Sequence, residues 1–157
     1  MTFYGDLMDH APALMVAIPL LFAFATPLWG KLNKTLTKGW ALLGVALATV
    51  LMYLLGWDIL SEGGGGESAK TYVFGGADGI LTPLVGDNVA RVTFYVDGIA
   101  AFMGLIMATV GISAVIYSIA FVKKYSGQEK YYTLLLLMLA ANFGMVFTGD
   151  LFNLFVW

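Results

Sequence analysis

The sequence predicts an all-α polytopic membrane protein with four complete transmembrane helices, the start of a fifth, and a short exterior β-hairpin between helices 2 and 3. Three observations lead there. Of 157 residues, 60% are hydrophobic and only 11% are charged, against about 45–50% and about 25% in soluble domains. The stretches 11–29, 39–57, 98–122 and 131–148 contain no Asp, Glu, Lys, Arg or His. Each is close to or above the ~20 residues a helix needs to cross ~30 Å of hydrocarbon, and in lipid every backbone N–H must bond within its own segment, which selects helices.

Composition also excludes chemistries. With no cysteine, neither a disulfide nor a thiolate metal site can form. His10 is the sole histidine, so a clustered-histidine zinc site is excluded as well. No basic patch suggests nucleic acid, no nucleophile–base pair lies within the spans, and no cofactor is expected.

The charges set an orientation. Lys31, Lys34 and Lys38 fall between helices 1 and 2, and Lys123, Lys124 and Lys130, with Glu129, between helices 3 and 4. The opposite side collects Asp6, Asp9, Asp58, Glu62, Glu67, Asp78, Asp87, Asp97 and Asp150 against Lys70 and Arg91. The positive-inside rule then puts the lysine turns in the cytoplasm and the N-terminus outside a cell (inner or plasma) membrane. Asp6 and Asp9 before the first span argue against a cleaved signal, which needs a positive n-region.

Taken in order, helix 1 carries Pro19 near its middle, which predicts a kink, and His10 at its outer mouth, where an imidazole could take up protons or simply sit at the interface. Trp29, Trp40 and Trp57 mark span ends as interfacial anchors. The exterior segment 58–96 opens with a run of four glycines, 63–66, that reads as a flexible linker. Short β-rich runs at 71–74, 80–85 and 91–96, separated by turns at 75–79 and 86–88, predict the hairpin. Asp97 is placed to cap helix 3.

Along helix 3, Ala101, Gly104, Ala108, Gly111, Val115 and Ser118 recur at spacings of three and four, and Ala140 and Gly144 do so on helix 4. Small residues on one stripe let another helix approach closely, so these are expected to be packing faces. The polar residues Ser113, Tyr117, Ser118 and Asn142 could line a water path or make local hydrogen bonds. At the turn 148–150, Gly149 is expected to take a positive φ as a helix C-cap and Asp150 to cap the next helix. Residues 151–157 are apolar but reach only ~10 Å, so the sequence is expected to be a fragment, or half of a split subunit, with other polypeptide completing helix 5.

The stretch from Tyr131 to Trp157, with its Asn142-Phe143-Gly144 and its Thr148-Gly149-Asp150-Leu151-Phe152-Asn153-Leu154-Phe155, resembles the N-terminal helices of antiporter-like membrane subunits. That family takes in the D-type subunits of Mrp cation/proton antiporters, the large membrane subunits of respiratory complex I, and membrane-bound hydrogenase counterparts. Tyr117-Ser118 and Val96-Asp97-Gly98 match its pattern around helix 3. Some complex I relatives carry a histidine shortly before the Tyr-Ser pair, where this chain has Val115 and Ile116, and Phe121 replaces a common tyrosine. The absence of that histidine leans towards the Mrp or hydrogenase branch. The resemblance implies a glutamate in helix 5, just after the match to Phe155-Val156-Trp157, and lysines in later helices as the ion pathway.

The expected function is therefore a membrane subunit, N-terminal part or split half, of a proton/sodium-translocating module in a multisubunit complex, with other membrane subunits, lipid, H+ and Na+ as partners. A purely structural subunit that fills a helix interface is the alternative. Within the chain, Asn142, Asp150, Ser118 and Tyr117 are the residues placed to line a pathway, while Asp150 is already accounted for as a cap.

Overall fold

The computed structural model describes residues 3–32, 34–64, 68–73, 84–85, 88–89 and 93–157. Its elements are α1 (Phe3–Leu32), α2 (Lys34–Ser61), β1 (Lys70–Val73), β2 (Leu84–Val85), β3 (Asn88–Val89), β4 (Thr93–Val96), α3 (Gly98–Phe121), the short 3₁₀ turn Val122–Lys124, α4 (Gln128–Phe147) and α5 (Leu151–Val156). Four of the helices are long and apolar enough to cross a membrane. α1 packs chiefly on α4 and α2, and α2 on α3, with α3 and α4 touching less closely.

The helices run beyond the charge-free stretches. α1 begins at Phe3 rather than at residue 11, and α2 extends from Lys34 to Ser61 rather than over 39–57. The reason is that absence of charge marks the hydrocarbon, whereas the hydrogen-bond ladder continues into the interface, where Lys and Asp side chains reach water. α1 thus ends at Leu32 and α2 begins at Lys34, where the longer lysine turn was expected; Asn33 lies outside the described residues. α1 remains helical through Pro12, Pro19 and Pro27.

The core runs between the helices. It is formed by Met15 and Ala23 of α1, Val45, Ala48 and Met52 of α2, Ala101, Ala108 and Val115 of α3, and Leu136, Phe143 and Phe147 of α4. The outward faces stay apolar, with Leu21, Phe24, Val50, Phe102, Val110, Leu134 and Met138 exposed. A surface of that kind suits lipid and not water. Of the three tryptophans placed as interfacial anchors, Trp57 is exposed, but Trp40 turns in against α1, stacking on Phe22 at 4.4 Å and donating its Nε1–H to the Phe22 carbonyl at 3.2 Å.

Between α2 and α3 the strands pair antiparallel, first with last. β1 lies against β4 in the register Lys70↔Val96 to Val73↔Thr93, and β2 against β3. The turn at 75–79 and residues 80–83 and 91–92 lie outside the described residues. In β4, Phe94 and Val96 are buried against the bundle while Tyr95 faces out, as the period of two requires. Lys70 pairs with Asp58 at 3.2 Å, and the His10 ring meets Tyr72 edge-on at 5.6 Å. Both contacts fasten β1 to the helix ends.

The first two glycines of the run 63–66 are not linker. Gly63 has φ +99°, its N–H bonds the Leu60 carbonyl at 3.2 Å, and the Gly64 N–H bonds the Ile59 carbonyl at 3.0 Å. This Schellman pair satisfies carbonyls that would otherwise be orphaned at the end of α2. Gly65 and Gly66 lie outside the described residues.

Candidate functional site

Among the described residues, a linked group of polar side chains lies at the α4–α5 turn, where β4 lies across it. Asp150 has extended backbone and accepts the Asn153 N–H at 2.6 Å through Oδ1, which caps α5. Its Oδ2 accepts the backbone N–H of Thr93 at 3.1 Å and the Thr93 hydroxyl at 3.4 Å. The Thr93 carbonyl in turn accepts the Gly149 N–H at 3.0 Å and Asn153 Nδ2 at 3.4 Å. Trp157 Nε1 donates to Asn153 Oδ1 at 2.9 Å, one helical turn on. Every polar group of this knot thus has a protein partner, as groups removed from water must.

Gly149 does not take the positive φ expected of a C-cap; among the described residues only Gly63, Gly64 and Gly127 do. Thr148 ends α4 and forms a β-bridge with Phe94 instead, so the chain leaves the helix in an extended conformation. Gly149 is needed for proximity: a Cβ there would lie 2.9 Å from Thr93 Oγ1 and 3.2 Å from Tyr95 Cβ.

The other pathway candidates are elsewhere. Ser118 is buried near the far end of α3, where its hydroxyl donates to the Val115 carbonyl at 2.7 Å and lies 3.4 Å from the Tyr132 hydroxyl. Tyr117 next to it is 67% exposed and stacks on Phe121 at 5.6 Å. Asn142 borders a cavity of about 270 Å³ between α3 and α4, lined otherwise by Ile106, Val110, Gly111, Leu135 and Met138 among others. Ten residues of helix, ~15 Å, separate Tyr132 from Asn142, and the buried side chains between them, Leu136, Leu139 and Ala140, are apolar. Asp150 is a further eight residues on. Within this chain the four candidates are not brought together. Ser113 donates to the Thr109 carbonyl at 2.7 Å on the exposed face.

The small-residue stripe faces inward. Ala101, Gly104, Ala108, Val115 and Ser118 are buried, Gly111 partly so. A Cβ on Gly104 would lie 2.7 Å from Met52 Cε, 2.8 Å from its sulfur and 3.3 Å from the Phe147 ring; on Gly111 it would meet Leu139 at 2.9 Å. On α4, Ala140 is buried, and a Cβ on Gly144 would collide with the indole of Trp157.

Sequence reasoning missed Thr93, Asn153 and Trp157. The i, i+4 spacing of Asn153 and Trp157 on one helix face was a usable signal. Thr93 offered none, because its partners lie 57 and 60 residues away.

No protein-family model matches the chain. It is similar to NADH-quinone oxidoreductase subunit N of Desulforudis audaxviator, 32% identical over 164 residues that cover 94% of this chain and 27% of the relative. It is also similar to a Na(+)/H(+) antiporter subunit of Alkalihalophilus pseudofirmus, 27% identical over 140 residues that cover 88% of this chain and 16% of the relative. Among solved structures it superposes on a chain of the membrane-bound sulfane sulfur reductase, an archaeal respiratory membrane complex, with TM-score 0.73 and 29% identity over 92% of this chain and 27% of that one. The chain spans about a quarter or less of the length of these proteins. By sequence and by fold, the chain is similar to part of these antiporter-like membrane subunits.

Proposed function

We propose that the chain forms the supporting helix layer of a membrane subunit in a multisubunit proton/sodium-translocating complex, while titratable groups on other polypeptide carry the ions. One observation supports this reading above all. Within the candidate membrane spans Leu7–Gly30, Thr35–Ser61, Gly98–Lys124 and Gln128–Phe147, charged and histidine residues occur only near the ends, at Asp9, His10, Lys38, Asp58, Lys123, Lys124, Glu129 and Lys130. Moving a cation through hydrocarbon needs ionisable or coordinating groups at depth, and these are costly enough to mark function where they occur.

The threonine hydroxyls at depth each bond a carbonyl of their own helix. Thr49 donates to the Val45 carbonyl at 2.8 Å, Thr26 to that of Phe22 at 2.6 Å, and Thr109 to that of Leu105 at 2.8 Å. Between α2 and α3, Thr49 also reaches the Ala108 carbonyl at 3.5 Å and the Thr109 hydroxyl pairs with that of Tyr53 at 2.9 Å. Asp150, engaged by Thr93 and Asn153, acts as a joint. The orientation goes with this proposal: lysine ends in the cytoplasm, N-terminus outside.

The test is sodium-dependent H+ flux in membrane vesicles from cells with and without the chain, followed by complementation. We expect flux to vanish without the chain, to return with the wild type, and to return with Asp150→Asn once assembly is restored. Flux that is unchanged without the chain would favour a subunit that merely fills an interface.

A further inference from the structure

At the lysine end, the 3₁₀ turn and the start of α4 lie beside the start of α2 and flank an open cavity of about 390 Å³ bordered by Thr35, Lys38, Lys123, Lys124, Ser126 and Gln128. Among the described residues, no carboxylate lies within ion-pair distance of these three lysines. Glu129, the acidic residue of this region, borders a neighbouring cavity with Pro27, Gly30 and Lys130 that shares Ser126 with this one. The lysine cavity therefore presents net positive charge at the end of two spans, the depth of lipid headgroups.

Gln128 adds a second, independent feature. It is only 5% exposed, and its Nε2 donates to the carbonyls of Lys123 at 3.2 Å and Tyr125 at 3.1 Å. These two acceptors fix the amide, because exchanging its ends would set oxygen against two carbonyl oxygens. Its Oε1 is then a buried acceptor without a donor, the one such side-chain atom among the described residues. An unpaired buried acceptor is costly, and a donor seated in the cavity removes that cost. An anionic phosphate ester with no hydroxyl meets the lysines but has no proton for Gln128; inorganic phosphate, whose dianion keeps one O–H, and an anionic ester with a free hydroxyl meet both. The cavity shares Tyr125 and Ser126 with a second one of about 400 Å³, walled by Tyr117, Phe121 and Tyr131. That aromatic wall suits an acyl chain, which favours a lipid over a soluble ester.

We propose that this cavity binds an anionic phospholipid whose headgroup carries a free hydroxyl. Its phosphate lies against Lys38, Lys123 and Lys124, its hydroxyl donates to Gln128, and an acyl chain follows the wall of Tyr117 and Phe121.

The experiment measures lipid retention by native mass spectrometry on the full chain, purified with the polypeptides that accompany it, delipidated, and offered phosphatidylglycerol, phosphatidylmethanol or phosphatidylcholine. We expect phosphatidylglycerol to be retained over both others, and each lysine replaced by Gln to weaken it about fivefold. Gln128→Met should erase the preference for phosphatidylglycerol over phosphatidylmethanol, which has the charge but no hydroxyl. If Gln128→Met fails to fold, the exposed pair Lys123→Gln and Lys124→Gln carries the charge test, and the phosphatidylmethanol comparison on the wild type carries the hydroxyl test. Equal retention of phosphatidylcholine, or of phosphatidylmethanol by the wild type, would overturn the proposal. So would displacement of phosphatidylglycerol by equimolar glycerol phosphate, which would make a soluble ester the occupant.

Discussion

Asp150 and Thr93, 57 positions apart, are held together by one carboxylate oxygen, which takes the Thr93 N–H at 3.1 Å and its hydroxyl at 3.4 Å. The other oxygen caps α5. One side chain therefore starts a helix and ties it to the strand that precedes α3. Gly149 and Asn153 complete the joint by donating to the Thr93 carbonyl.

Replacing Asp150 by Ala removes a cap worth about 1 kcal/mol and a charge-assisted bond worth about 1.5–3 kcal/mol. Asp150→Asn keeps an acceptor oxygen and should cost less. Thermal unfolding in detergent should rank wild type above Asn above Ala; a neutral Ala variant would contradict the joint.

Two glycines should respond in opposite ways. A side chain at Gly104 runs into Met52 and Phe147, so Gly104→Leu should destabilise by about 1–3 kcal/mol or more through overpacking. A Cβ at Gly39 meets nothing within 4 Å, and Gly39→Ala should gain about 0.5–1 kcal/mol of helix propensity. Native-gel assembly and unfolding midpoints check both; normal assembly of Gly104→Leu would refute the close approach of α2 and α3.

Asn142 has a polar amide in an otherwise apolar groove. Asn142→Leu should leave the stability of the chain unchanged or raised by about 1 kcal/mol, since a desolvated amide gives way to apolar surface. If Asn142 lines a water path in the assembly, the same variant should lower ion flux without lowering the amount of complex; unchanged flux would remove it from the pathway.

How much was legible follows from the range of each interaction. The four spans were readable because lipid forces local hydrogen bonding, and the caps at Asp97 and Asp150 because a capping side chain acts within three residues; Asp97 accepts the Ala100 N–H at 2.8 Å. The inward stripe of α3 follows from spacing alone. Thr93 could not be found, since its value depends on a strand register set 57 residues away. Gly149 was misread because helix ends favour glycine for two reasons, a positive φ or a close neighbour, and the sequence does not distinguish them. The glycine run was misread likewise: its first two members finish α2.

Orientation has a direct test because the natural chain has no cysteine. Single substitutions Glu62→Cys and Lys130→Cys give one thiol each, both at exposed positions. An impermeant maleimide should label Glu62→Cys in intact cells and Lys130→Cys only after permeabilisation; the reverse pattern would invert the topology.

The measurement closest to the central claim is H+ flux in sealed vesicles containing this chain alone, followed with an internal pH dye under imposed Na+ and H+ gradients. We expect a rate no different from that of protein-free vesicles, because the interior of its helices holds no Asp, Glu, Lys, Arg or His side chain. Saturable, Na+-dependent H+ movement through the chain by itself would contradict that claim.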